Sequence, residues 1–225
     1  MVHSEKIVRS GAGEDGPRSR IVAAARGLFM TRGFVRVTAD DIAAELGISK
    51  ATLYKAFSSK EEMLGAAVRE VLNEMLARVE RLIGDDSLGF VEKMVALFTF
   101  LGTRLSQFGP LFIRDIQKSA PRIWKEIDEF RRDKIFRNFK VILEAGRREG
   151  FFREDVDLDL LLQMFISLIQ EFVNPAAILR SGRSPAATFE SVIKVFFQGI
   201  LTDKGRLDFS ARTPALFEPR KEGVS

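Results

Sequence analysis

Between Thr38 and Lys60 the chain concentrates side chains that suit a polyanion. Hydroxyls stand at Thr38, Ser49, Thr52 and Tyr54, amines at Lys50, Lys55 and Lys60, and a small residue at Ala51. Hydroxyls and amines donate to phosphate oxygens, and an alanine lets a helix backbone come close to base edges. Other chemistries are short of parts. There is no cysteine, and the one histidine is His3 in a polar start. That removes thiolate nucleophiles, disulfides, the usual triads and His- or Cys-based zinc sites. No nucleophile–base pair, cofactor loop or metal-ligand cluster is recognisable, so neither an enzyme nor a bound cofactor is expected.

Gripping DNA requires an element that fits a groove, and residues 38 to 57, T-A-D-D-I-A-A-E-L-G-I-S-K-A-T-L-Y-K-A-F, supply one. Thr38 and Asp41 have the spacing of a capping box, with Asp in place of the usual Glu or Gln, which predicts a helix start. Ile42, Ala43 and Leu46 then fall on one face. Gly47 suits a left-handed end to that helix. Ser49 suits the N-cap of a second helix, with Leu53 and Phe57 four residues apart facing inward. This order predicts a helix-turn-helix over 38–57. Lys50, Ala51, Thr52, Tyr54 and Lys55 remain for the outside of its second helix.

Over residues 18 to 68 the chain resembles the DNA-binding domain of TetR-family transcriptional regulators. The resemblance is carried by I-V-A-A-A-R-G-L-F (21–29), R-G-F (32–34), T-A-D-D-I-A (38–43), L-G-I-S-K-A-T-L-Y (46–54), Phe57 and S-K-E-E-M-L (59–64). It implies three helices, the second and third forming the reading unit, and a longer fourth helix leading away. It also implies that Thr38, Ser49, Thr52, Tyr54 and Lys60 face phosphates, while Lys50, Ala51 and Lys55 are placed to reach base edges. Many relatives carry His or Tyr just before the aromatic at 57. Here that position is Ala56, so a phosphate contact common in the family is expected to be missing.

Charge placement agrees with a reader at the front of the chain. Of 225 residues, 35 are Lys or Arg and 31 Asp or Glu. The first sixty hold ten basic and six acidic residues, while the rest balances 25 against 25. The excess positive charge therefore lies where counterion release from DNA would use it. Residues 1–17 lack the apolar run of a signal peptide, and Arg9, Arg18 and Arg20 leave two readings open, a flexible leader or a minor-groove arm. The most apolar stretch, Leu158 to Val173, is broken by Asp159, Gln163, Ser167, Gln170 and Glu171, too polar and short to span a bilayer. A soluble cytoplasmic protein with no membrane partner is expected.

Helical periodicity fits nearly everything from Arg18 to about Leu201, which predicts an all-α fold. Its parts are a flexible leader (1–17), a helix-turn-helix DNA-binding domain (18–64), a larger helical ligand-binding and dimerisation domain (65–203) and a tail (204–225). The fourth helix starts near Ser59, where Glu62 would complete a capping box, and ends at Gly84. A further helix from about Ser87 is broken at Gly109-Pro110, and Pro121 suits the first turn of another. Residues 147–159, R-R-E-G-F-F-R-E-D-V-D-L-D, also resemble the same family's regulatory domain. After Asp203 periodicity fades, and the tail is either disordered or draped over the domain.

Residues 158–179 are apolar around most of the circumference, and 188–201 place Phe189, Val192, Ile193, Phe196, Phe197, Ile200 and Leu201 at helical spacing. Either both lie inside one large core, or they pair with their copies as a homodimer. The resemblance favours the second, which makes the DNA site a pseudo-palindrome. Twenty phenylalanines accompany one Tyr and one Trp. Phe98, Leu101, Trp124, Phe139 and Phe165 are candidates to line an apolar or aromatic ligand pocket, or simply core. Gln163, Ser167, Gln170 and Asn174 share a face of an apolar helix and, if buried, need partners: a ligand, a dimer mate or water. Glu171 would select a cation if it faced inward. The expected function is a dimeric repressor released from its operator by a small apolar or aromatic molecule. A DNA-binding regulator with no ligand, controlled by abundance or a protein partner, is the alternative.

Overall fold

The computed structural model describes residues 16–107, 110–172, 177 and 180–212. In chain order the helices are α1 (Pro17–Arg32), α2 (Ala39–Leu46), α3 (Lys50–Ala56), α4 (Lys60–Ile83), α5 (Phe90–Ser106), α6 (Pro110–Ser119) and α7 (Pro121–Phe130). They continue with α8 (Phe136–Arg148), α9 (Leu158–Phe172), α10 (Pro185–Ile200) and α11 (Asp203–Arg212). A π-helical turn, Arg131–Ile135, joins α7 to α8. The fold is all-α. The one β-type pairing among the described residues is an isolated bridge between Phe152 and Leu201. Among them, no helix is long and apolar enough to cross a membrane.

Local chemistry explains the early boundaries. Thr38 and Asp41 form a reciprocal capping box: the Asp41 N–H donates to the Thr38 hydroxyl at 3.1 Å, and the Thr38 N–H donates to the Asp41 carboxylate at 2.7 Å. Those hydrogen bonds hold the Asp41 carboxyl below its usual range, the backbone bond contributing most. Gly47 takes φ 63° and ψ 32°, the left-handed conformation that ends α2 without a Cβ penalty. The Ser49 hydroxyl accepts from the Thr52 N–H at 3.0 Å and so starts α3.

The start of α4 departs from the expected box. Ser59 accepts from the Glu62 N–H at 3.1 Å, but the Glu62 carboxylate turns to Ser58, accepting from its N–H at 2.7 Å and its hydroxyl at 2.8 Å. With Arg18 also on it, Glu62 is held down to about 2. From there α4 runs 24 residues, roughly 36 Å at the usual rise per residue.

Two apolar cores flank this rod. The first contains Ile21, Phe29, Ile42, Leu53, Phe57 and Leu64, and continues without a break into Phe112 and Ile116 of α6, Ala120 at the α6–α7 junction and Ile123 of α7. The core of residues 18–64 is therefore completed by segments that sequence places in the second domain. The second core joins Val91, Met94, Leu143, Phe152, Phe165, Phe197 and Phe209.

Of the two readings of the tail, its described part fits the one that lies against the domain. Residues 203–212 form α11, which packs on α5 with Phe209 fully buried. One buried phenylalanine contributes about 1.5–3 kcal/mol and holds a helix that lacks amphipathic spacing. Residues 1–15, which include Arg9 of the leader, and 213–225 of the tail lie outside the described residues, as do 173–176, 178 and 179 of the expected 158–179 helix.

Candidate DNA interface and internal cavity

The reading unit is built from the inside outward. Leu53 and Phe57 are almost wholly buried against α1 and α2, which fixes the rotation of α3. That rotation leaves Ser49, Lys50, Ala51, Thr52, Tyr54 and Lys55 exposed together, with Thr38 exposed at the start of α2. The Ser49 and Thr52 hydroxyls lie 2.8 Å apart, and Lys50 Nζ stands 3.0 Å from the exposed Asp40 carboxylate. A base or phosphate meeting Lys50 must compete with that carboxylate.

Lys60 is more committed than its neighbours. Its Nζ donates to the carbonyls of Phe34 and Val37, both at 2.9 Å, and lies 4.4 Å from the Phe34 ring centre. Burial lowers its pKa, with Asp115 opposing. An ammonium has three hydrogens, so at most one remains for a phosphate. The family resemblance implies a phosphate contact for Lys60 and gives no hint that this lysine also ties down the α1–α2 turn.

Two other anchors of the reader are not apparent from sequence. The Arg18 guanidinium stacks 3.9 Å from the Phe57 ring centre, donates to the Glu62 carboxylate at 3.0 Å and donates to the Ala56 carbonyl. It pins α1 to the α3–α4 junction and so is not part of a loose arm. Asp115 of α6 is buried, and its Oδ2 accepts from the Val35 N–H at 3.1 Å. Gly33, at φ 86°, lies so close that an added Cβ would stand 2.9 Å from Asp115 Oδ2. A helix of the second domain thus holds the turn that leads into the reading unit.

A cavity of about 210 Å³ lies between the two cores. Its wall reaches from Phe29 and Leu64 on the reader side to Phe165 and Ile193 on the far side. Phe98, Leu101, Trp124, Phe139 and Phe165 all line it, with Phe139 and Phe165 stacked at 3.8 Å between ring centres. Among the described residues the polar lining is limited to Arg26, Arg131, Lys134 and Asn138. Gln163, Ser167 and Gln170 do not line it: Gln163 and Ser167 are exposed and Gln170 is half-buried. Their shared helical face is turned away from the cavity because Leu162, Phe165 and Ile169 occupy the inward side of α9. Asn174 lies outside the described residues, and Glu171 is exposed, 3.9 Å from Arg180. Arg104 lies outside the cavity wall, 3.3 Å from Glu74.

The outer faces of α8, α9 and α10 carry large apolar side chains in water. Val141 is 46% exposed, Leu160 54%, Met164 48%, Phe172 47% and Val195 73%. Among the described residues no three His, Cys, Asp or Glu side chains gather as a metal site would need.

Comparison with known proteins places these features in a family. Residues 21–67 match the model described as "Bacterial regulatory proteins, tetR family". The uncharacterized HTH-type transcriptional regulator YvaF of Bacillus subtilis is 26% identical over 185 residues, covering 82% of this chain and 96% of that protein. The HTH-type transcriptional repressor KstR2 of Mycolicibacterium smegmatis is 30% identical over 154 residues, covering 64% of this chain and 71% of the relative. Among solved structures, the transcriptional regulator FadR from Bacillus subtilis in complex with stearoyl-CoA superposes with a TM-score of 0.60. It is 22% identical, covering 81% of this chain and 98% of that one, a likeness of fold.

Proposed function

This chain belongs to the TetR family of bacterial transcriptional regulators, and from that premise we propose that it is a dimeric repressor whose grip on a pseudo-palindromic operator changes when an apolar molecule enters the cavity. The carrying observation is that the cavity wall is shared between the two cores. Phe29 and Leu64 belong to the reader's core, Phe165 and Ile193 to the other, and all four line one space. A molecule that preferred one spacing of these walls would favour one setting of the reader.

In this reading α3 enters the major groove. Thr38, Ser49, Thr52, Tyr54 and the remaining hydrogen of Lys60 meet phosphates, while Lys50, Ala51 and Lys55 approach base edges. Two copies associate through α9 and α10 in a two-fold interface, which sets two readers on one face of DNA. Two routes carry the ligand's influence. One is α4, which lines the cavity and begins at Lys60 beside the reader. The other is α6, whose Phe112 and Ile116 line the cavity while Asp115 holds the Val35 N–H. A coupling of about 1–3 kcal/mol would change operator affinity roughly 5- to 150-fold. The names of KstR2, a repressor, and FadR, solved with stearoyl-CoA, whose acyl chain is apolar, are in keeping with a repressor whose effector has an apolar body.

The test is selection of fragmented genomic DNA by the purified protein at near-physiological salt, with Tyr54→Ala as control. Recovery of one short pseudo-palindrome by the parent protein alone is expected. Recovery of only salt-sensitive background by both proteins would refute the proposed reader.

A further inference from the structure

Resting on the reading of the cavity as an effector site, the charge on its wall narrows the chemistry of the effector. Almost every lining group is a hydrocarbon or an aromatic ring, so the body of the molecule must be apolar. Among the described residues the charged exceptions are all cations, Arg26, Arg131 and Lys134, and no Asp or Glu lines the space.

The three cations are not equivalent. Arg26 is already neutralised, donating through both terminal nitrogens to Glu74 at 2.8 and 3.1 Å. Arg131 is not: its nearest acid is Asp128 at 3.8 Å, beyond hydrogen-bond reach, and its other neighbour is the Trp124 ring at 5.5 Å. Burial makes Arg131 less favourable as a cation than in water, an effect that Asp128 only opposes. Among the described residues, Lys134 has no ion-pair partner within 4.0 Å. Arg131 and Lys134 lie three residues apart in the π-helical turn 131–135, a distortion that often marks functional positions in helices. A cation withdrawn from water and left with a weak partner, as Arg131 is, is costly, and an anion brought to it recovers that cost.

We infer that the cavity takes an amphiphile with an apolar body and a single anionic head, a carboxylate or phosphate monoester, held by Arg131 and Lys134. A cationic molecule of the same size is repelled. A neutral one leaves both cations as they were.

Isothermal titration calorimetry on the full chain tests this with four probes below their micelle concentrations: decanoate, decyl phosphate, decanol and decyltrimethylammonium. Whichever anion is the better head should bind at least about tenfold tighter than decanol, with the ammonium weakest. Arg131→Gln and Lys134→Gln should each weaken that anion about tenfold and leave decanol unchanged, as expected for loss of a charge-assisted hydrogen bond. Lys134→Gln decides the matter if Arg131→Gln lowers the melting temperature too far to fold. The two anions separate a carboxylate head from a phosphate. Decanol binding as tightly as both anions, or the ammonium binding best, would overturn the anionic head while leaving the cavity as an apolar ligand site. No binding by any of the four would overturn the effector site itself.

Discussion

Val195 offers the sharpest test of the proposed assembly, because it is a large apolar residue that is 73% exposed on a helix otherwise anchored by buried Phe196, Phe197 and Ile193. Full burial of a valine-sized side chain contributes about 1.5–3 kcal/mol. With about three-quarters of it still to bury, each Val195 should contribute roughly 1–2 kcal/mol to association. A two-fold interface counts the residue twice, giving roughly 2–4 kcal/mol, or about a 30- to 700-fold change in the dimer dissociation constant. Val195→Asp removes that contribution and adds two carboxylates without partners, so the loss should reach at least this size. Sedimentation equilibrium across a concentration series measures it directly. Leu207 on α11 is also 73% exposed, but lies off the proposed interface. Leu207→Asp should therefore leave the dimer constant within about twofold, as most surface substitutions do. A Val195→Asp protein that keeps the parent's dissociation constant would refute an interface through α10. Equal weakening by both substitutions would show that exposure, not the proposed face, governs self-association.

Three further outcomes are expected. Asp115→Ala strips the Val35 N–H of its acceptor and should lower stability by about 1–3 kcal/mol. It should also shrink the effector-induced change in operator affinity, measured by fluorescence anisotropy; a destabilised protein with undiminished response would confine Asp115 to a structural role. Glu62 has its folded pKa depressed to about 2, so its ionised form adds stability above the unfolded carboxyl value, and that advantage fades as pH falls from there toward 2. The melting-temperature gap between parent and Glu62→Gln should accordingly be full near neutral pH and close between about pH 4 and pH 2, a trend that a gap constant with pH would contradict. Gly47→Ala places a Cβ in a left-handed residue and should cost about 1–2 kcal/mol in denaturant melts despite the open space around it; an unchanged midpoint would mean that the turn relaxes.

The reading unit was legible from sequence because its instructions are local. Thr38 with Asp41, Gly47 and Ser49 each act on backbone groups within a few residues, and Leu53 with Phe57 fixes rotation by spacing alone. What escaped depends on neighbours far along the chain. Asp115 looks like any acid on a helix until folding brings it to Val35, eighty positions away. The resemblance implies a phosphate contact for Lys60, yet two of its hydrogens serve carbonyls in the α1–α2 turn. The Gln163, Ser167 and Gln170 line shows that α9 has a polar face; periodicity cannot say whether that face meets a cavity or solvent. Phe209 sits in a helix with no apolar stripe, held by one deeply buried ring. The π-helical turn at 131–135 carries no cap, glycine or proline that would have marked it in the sequence.

The continuous core that joins Phe29, Ile42 and Leu64 to Phe112, Ile116 and Ile123 bears on how such a regulator can be recombined. A chimera cut after residue 64 would set a foreign reader on α6 and α7 side chains shaped for this one, leaving voids or clashes on both sides of the seam. Exchange of DNA specificity should therefore work through the outward residues of α3, while transplanting the whole head would require α6 and α7 to travel with it, and with them part of the cavity wall. On the proposed reading, specificity for DNA and specificity for effector would be written on overlapping parts, and a lineage that altered one by recombination would have to rebuild the other.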